Sequence, residues 1–256
     1  MNTPPEHSDM QALTGLAAGD ADRLLCTRFL PMSVQPGGLV LLAFHNELIR
    51  ALAPARSAAV AGPMAGLIRL QWWREVLEKT RPPEHSIAPF VLGLVERQQV
   101  RQATLLRLVH SCEMELNAPH EMPVWEGMMR DGPGALQRAV GELLGLEDEG
   151  LLLRLEACGM AYGAGAMLRH WPALQQSGRF VCPLGTDALR LQGQAWLDML
   201  DWPKLPRPAH LAALPAVLAR RDLARSTAQA ARPRGLGDRL ALMWQGVKAL
   251  RGFERG

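Results

Sequence analysis

Between Leu39 and Ala53 the chain runs without glycine or proline, and Leu41, Leu42, Phe44, Leu48, Ile49 and Leu52 fall on nearly every side of a helix wound through them. A helix apolar around most of its circumference is stable in water only when other elements surround it. The segment therefore demands a bundle. Pro63, a suitable first-turn proline, opens a second helix that passes Leu67, Leu70, Trp73 and Leu77 and stops at Arg81-Pro82-Pro83. Further helical periods are predicted over 87–97, 100–116, 135–146, 149–168, 188–200, 209–232 and 236–251. Breaks fall at Pro31–Gly38, Ala118–Pro123, Gly132-Pro133-Gly134 and Pro203–Pro208. No run alternates apolar and polar residues with β-branched enrichment, so no strand is predicted and the fold class is all-α.

A chain of 256 residues with 48% apolar and 21% charged residues is globular, and is read as a single domain over 1–256. Residues 1–19 are expected to be disordered. Pro-rich 203–208 is read as a loop before two closing helices, because the 54 residues beyond Trp202 make a thin core alone. No apolar run approaches the roughly 18–20 residues of a membrane span, and polar Met1–Asp9 does not read as a signal peptide. Cys26, Cys112, Cys158 and Cys182 form no C-x-x-C pair, which predicts buried free thiols in a reducing, cytoplasmic setting.

Net charge is +3, too balanced for a nucleic-acid partner, but it is unevenly placed. Residues 1–202 carry −5 and residues 203–256 carry +8. The closing helix adds an apolar stripe of Leu236, Leu240, Met243, Val247 and Leu250 flanked by Arg234, Arg239, Lys248 and Arg251. Such a helix either docks on its own core or lies on an anionic membrane surface or an acidic protein partner. Gly159, Gly163 and Gly165 fall within seven residues of one helical stretch, although glycine costs about 1 kcal/mol against alanine in a helix interior. Close helix crossing is one reason to keep them; an open wall along a ligand cavity is the other.

Two blocks carry a family resemblance. The first is Leu41-Leu42-Ala43-Phe44-His45-Asn46-Glu47-Leu48-Ile49-Arg50 followed by Ile68-Arg69-Leu70-Gln71-Trp72-Trp73-Arg74-Glu75. The second is Gly159-Met160-Ala161 through Met167-Leu168-Arg169-His170, then Gly178-Arg179-Phe180-Val181-Cys182-Pro183. Over roughly residues 20 to 230 they resemble the squalene/phytoene synthase family, which implies an isoprenoid synthase bundle with a central cavity. Family enzymes join prenyl diphosphates through Mg²⁺ held by two D-x-x-x-D pairs, hard oxygen ligands that neutralise the departing pyrophosphate. The resemblance places Ile49 and Ala53 at the first pair and His170 and Leu174 at the second. No two of the ten aspartates are four apart, and Val181 replaces the tyrosine expected after Gly178-Arg179. The pattern resembles the aspartate-poor branch that includes the mitochondrial complex I assembly factor.

The resemblance thus implies a protein without metal or cofactor, binding an isoprenoid or lipid-like ligand or a protein partner, with a role in respiratory complex assembly. The alternative is an active head-to-head prenyltransferase on farnesyl or geranylgeranyl diphosphate, with Mg²⁺. Candidate cavity and diphosphate-binding residues are Glu47, Arg50, Arg69, Trp73, Glu115, Arg169 and Arg179. Guanidinium groups pair bidentately with phosphate oxygens, or else with Glu47, Glu75 and Glu115. Of Glu113 and Glu115, two apart, one faces inward, and Glu115 is preferred. His45 and His170 with Glu47 are weighed as a transition-metal site against a structural role. No spacing activates a Ser or Cys nucleophile.

Overall fold

In a computed structural model the chain is described over residues 7–52, 62–117, 120–225 and 234–254. Among these residues there are helices and no strands. The helices are α1 (His7–Ala17), α2 (Ala21–Thr27), α3 (Gln35–Ala51), α4 (Gly62–Leu77), α5 (Ala88–Glu96), α6 (Gln102–Asn117), α7 (Met122–Met129) and α8 (Ala135–Leu143). They continue as α9 (Glu149–Gln176), α10 (Gly185–Met199), α11 (Arg207–Ala212), α12 (Pro215–Ala224) and α13 (Leu236–Glu254). α3 is buried on most of its surface, with Leu41, Ala43, Phe44 and Leu48 inaccessible, as its unbroken apolar sequence requires. Trp73 of α4 meets Phe44 edge to face at 5.0 Å.

α9 is the axis of the second half of the molecule. Asp148 caps it by accepting a hydrogen bond from Leu151 N at 2.6 Å. Its most apolar stretch is 72% buried, because α8, α10 and α12 pack around it. Its glycines explain how closely they pack. A β-carbon on Gly159 would collide with the Pro133 carbonyl, and one on Gly163 would stand 2.7 Å from the Pro133 ring. One on Gly165 would stand 3.0 Å from Asp222 of α12. Close crossing accounts for all three, and Gly163 also lines the cavity described below.

Several expectations are corrected. Residues 7–17 are helical, and Leu13 and Ala17 bury against α3. The Gly132-Pro133-Gly134 break is a π-helical turn, Arg130–Gly134, which joins α7 to α8 almost continuously. The single helix expected over 209–232 is two, split at Leu214-Pro215, and residues 226–232 lie outside those described. α13 docks through Leu242, Gly246 and Ala249, with Leu250 of the predicted stripe packed beside them, which leaves Leu236, Leu240, Met243 and Val247 of that stripe outside. The loop expected over 203–208 is shorter: a short 3₁₀ turn, Trp202–Lys204, leads through Leu205-Pro206 to α11, which already includes Arg207 and Pro208. All four cysteines are free and buried, and burial lifts the Cys158 thiol to about 12.

Candidate functional site

A partly open cavity of about 720 Å³ is lined by residues from α2, α3, α6, α7, the π turn and α9, together with Arg179, Phe180, Arg234 and Arg239. Leu108, Met128, Met129, Ala166 and Met167 supply apolar wall. The charged groups come from distant parts of the chain. Asp20 caps α2 by accepting from Arg23 N at 2.9 Å, which aims Asp22 and Arg23 inward beside it. Tyr162 of α9 donates its hydroxyl to Asp20 at 3.1 Å, and the Arg23 guanidinium lies 4.5 Å from the Tyr162 ring centre.

Arg234 stands just before α13. It donates to Asp22 at 2.8 Å and to the fully buried Asp222 at 2.5 Å, while Arg169 of α9 donates to Asp22 at 3.2 Å. Arg225 then links Asp222 to Asp238, which also accepts from Arg221 at 2.5 Å. Across the cavity Arg179 embraces Glu115 with two hydrogen bonds, the Nη2 one at 2.9 Å. Burial, then the nearby Arg23 charge, lower the His45 imidazole to about 4, so it is neutral at physiological pH. Burial and the Arg169 and Arg234 charges lower His170 as well.

Four buried nitrogens of cavity-lining residues have no hydrogen-bond partner: Arg23 Nε, His45 Nδ1, Arg169 Nε and Arg234 Nη2. Buried polar atoms are normally satisfied, and leaving one unpaired costs about 1–3 kcal/mol. All four are sealed from solvent and so from the cavity itself; what lines the cavity is a positive balance, Arg23, Arg169, Arg179, Arg234 and Arg239 against the carboxylates of Asp20, Asp22 and Glu115.

The structure sorts the residues picked out from the sequence. Ile49, His170 and Leu174 all line the cavity, while Ala53 lies outside the described residues. Glu115, Arg169 and Arg179 line it too. Glu47, Arg50, Arg69 and Trp73 do not. Glu47 is buried behind the wall, within 3.4 Å of Arg50, 3.8 Å of Arg69 and 3.7 Å of His85. That separates Glu47 from His45 and His170, so the three do not form a metal site. Trp73 is core, whereas Trp72 is half-buried beside His85. Arg74 pairs with Glu113 at 2.6 Å rather than with Glu75. Asp20, Asp22, Arg23 and Arg234 escaped the sequence reading as cavity groups, though Asp20-Ala21-Asp22 before an apolar run is a helix-start signal.

The donor set does not fit a Mg²⁺ cluster. Ile49 and Leu174 offer no oxygen, and every carboxylate lining the cavity is already held by an arginine: Glu115 by Arg179, Asp22 by Arg169 and Arg234, Asp20 by Arg23. Among the described residues no group of three His, Cys, Asp or Glu side chains is arranged to hold a metal.

The squalene/phytoene synthase family model matches residues 16–248. The fold is similar to the crystal structure of squalene synthase HpnC from Alicyclobacillus acidocaldarius, with TM-score 0.68 and 14% identity, over 89% of this chain and 96% of that one. No curated protein matches the chain.

Proposed function

Because the chain belongs to the squalene/phytoene synthase family, we propose that it uses the family's cavity to bind an amphiphile with an oxygen-rich anionic head and an isoprenoid or lipid-like tail, without metal-dependent prenyl transfer. The observation that carries this reading is the pairing of an apolar wall with five arginines, Arg23, Arg169, Arg179, Arg234 and Arg239, set against only three lining carboxylates among the described residues, Asp20, Asp22 and Glu115. Fixed guanidinium groups would take the place of the metal ions in neutralising a phosphate, bidentately and without a change of coordination. They would hold the head but supply no Lewis acid to pull a leaving group away. Binding would then serve a partner rather than a reaction. The resemblance to the aspartate-poor branch makes assembly of a respiratory complex the role we assign to it.

The second reading is head-to-head prenyl transfer, favoured by the name of the structurally similar squalene synthase HpnC. Calorimetry with farnesyl diphosphate in EDTA, and product analysis with Mg²⁺, separate the two. The binding reading expects a complex in EDTA, weakened tenfold or more in Arg169→Ala, with no pyrophosphate released when Mg²⁺ is added. Mg²⁺-dependent consumption of the diphosphate would establish the second reading instead.

A further inference from the structure

α13 carries an apolar face that the rest of the chain leaves uncovered. Leu236, Leu240, Met243, Trp244 and Val247 are all exposed, Leu236 by 75% and Trp244 by 66%. At about 100° per residue these five fall within an arc of about 100° on the helix surface. Arg239 lies about 40° beyond one edge of that arc and Lys248 about 40° beyond the other, both exposed, with Arg251 at the C-terminal end. The Lys248 ammonium sits 5.4 Å from the Trp244 ring centre.

The helix is locked in this orientation. Gly246 presses on Phe29, where a β-carbon would stand 2.6 Å from the ring, and Leu242 and Ala249 are buried beside it. Asp238, the one acidic residue among the described side chains of α13, points inward and is held by Arg221 and Arg225. The outer face is thus apolar with cations on both flanks and no anion among the described residues. An indole and an ammonium on long stems beside an apolar stripe suit the boundary between acyl chains and headgroups, where the stem is buried and the charge reaches outward.

We propose that this face of α13 docks on an anionic lipid bilayer. The flanking charges select the sign of the surface, and the stripe supplies the inserted area. Arg239 belongs both to this flank and to the cavity lining, so docking brings that side of the cavity towards the headgroup layer. The proposal stands on the helix face alone and does not require the ligand reading of the cavity.

Flotation of the full chain with phosphatidylcholine vesicles, with and without phosphatidylglycerol, tests it. The expected result is binding to the phosphatidylglycerol vesicles at low salt, greatly reduced at 1 M salt, where the screening length falls to about 3 Å. Replacing Arg239, Lys248 and Arg251 by Glu should abolish binding, since each juxtamembrane cation contributes about fivefold to partitioning. The triple variant Leu240→Gln, Trp244→Gln, Val247→Gln should lose binding tenfold or more with unchanged circular dichroism. Trp244→Ser carries the same test if the triple variant misfolds. Leu191→Gln, exposed on α10, should float like the parent. Three outcomes overturn the proposal: no binding to anionic vesicles at low salt, undiminished binding of the apolar variants, or a parent dimer that the apolar variants dissociate while neither form binds vesicles.

Discussion

Gly159 and Pro133 touch backbone to backbone: the α-carbon of one lies against the carbonyl of the other, with no room for a β-carbon between them. Pro133 sits within a π turn, and its carbonyl also accepts from Arg23 Nη2 at 3.2 Å. One contact therefore joins the central helix, the turn that lines the cavity, and a cavity arginine.

The same substitution should have opposite signs at two glycines. Gly159→Ala gains about 1 kcal/mol of helix propensity but forces the π turn away, and overpacking of this kind costs about 1–3 kcal/mol. Gly15→Ala in α1 meets nothing within 4 Å and should stabilise by up to about 1 kcal/mol. Urea midpoints of the two variants check this. A Gly159→Ala protein at least as stable as the parent would contradict the close contact.

Helix type was legible wherever an apolar period ran for several turns, as in α3, α4 and α9. It was less legible where local chemistry pointed elsewhere. Gly132-Pro133-Gly134 carries every mark of a loop, yet packing against Gly159 and Gly163 holds it in the helical line. α13 shows why period alone does not orient a helix: Leu236, Leu240, Met243, Trp244 and Val247 face out, and Leu242, Gly246 and Ala249 face in, with Gly246 flat against Phe29. Arg234 reads as one more surface cation, yet its side chain is 6% exposed. Nothing near it in the chain reveals that its carboxylates come from Asp22 and Asp222.

Arg234→Met should destabilise the protein by about 3–5 kcal/mol, because it leaves the buried carboxylate of Asp222 without its nearest counter-charge. Burial already raises the Asp222 carboxyl, and losing Arg234 removes the largest influence opposing that rise. A carboxyl raised on folding favours the folded state at low pH and disfavours it as pH rises. The loss should therefore be greatest at neutral pH and shrink towards pH 4. Thermal melts across that range check it, and a pH-independent loss would contradict the assignment.

Asp238 has the opposite sign. Burial alone would raise its carboxyl, but Arg225 and Arg221 outweigh burial and hold it at about 2. Its contribution is therefore present above its unfolded value near 3.9 and lost as pH falls towards about 2. Asp238→Asn should be less stable than the parent at pH 6 by about 1.5–3 kcal/mol, and the two should converge by about pH 2. A gap that stays constant between those pH values would sink the argument.

Carboxylates returned to the cavity should make it responsive to metal. Ile49→Asp, His170→Asp and Leu174→Asp together place three acids among residues that line one space. Without metal they repel and stability should fall. Mg²⁺ should then raise the melting temperature of the variant and leave the parent unchanged, since a ligand stabilises only the form that binds it. An equal response from both would show that these positions do not face one another.

Asp22 and Arg234 are 212 residues apart in the chain, yet they share one wall of the cavity. During synthesis the helices that carry most of that wall emerge first, with Asp22 paired by Arg169 and the lining charges in balance, Asp20, Asp22 and Glu115 against Arg23, Arg169 and Arg179. Only when the chain has been made through Arg234 and Arg239 does the lining turn net positive. On the ligand reading proposed above, anion binding would therefore require the closing helix to be in place. A bound amphiphile would report that synthesis has passed that point, much as a seal reports that a vessel has been closed.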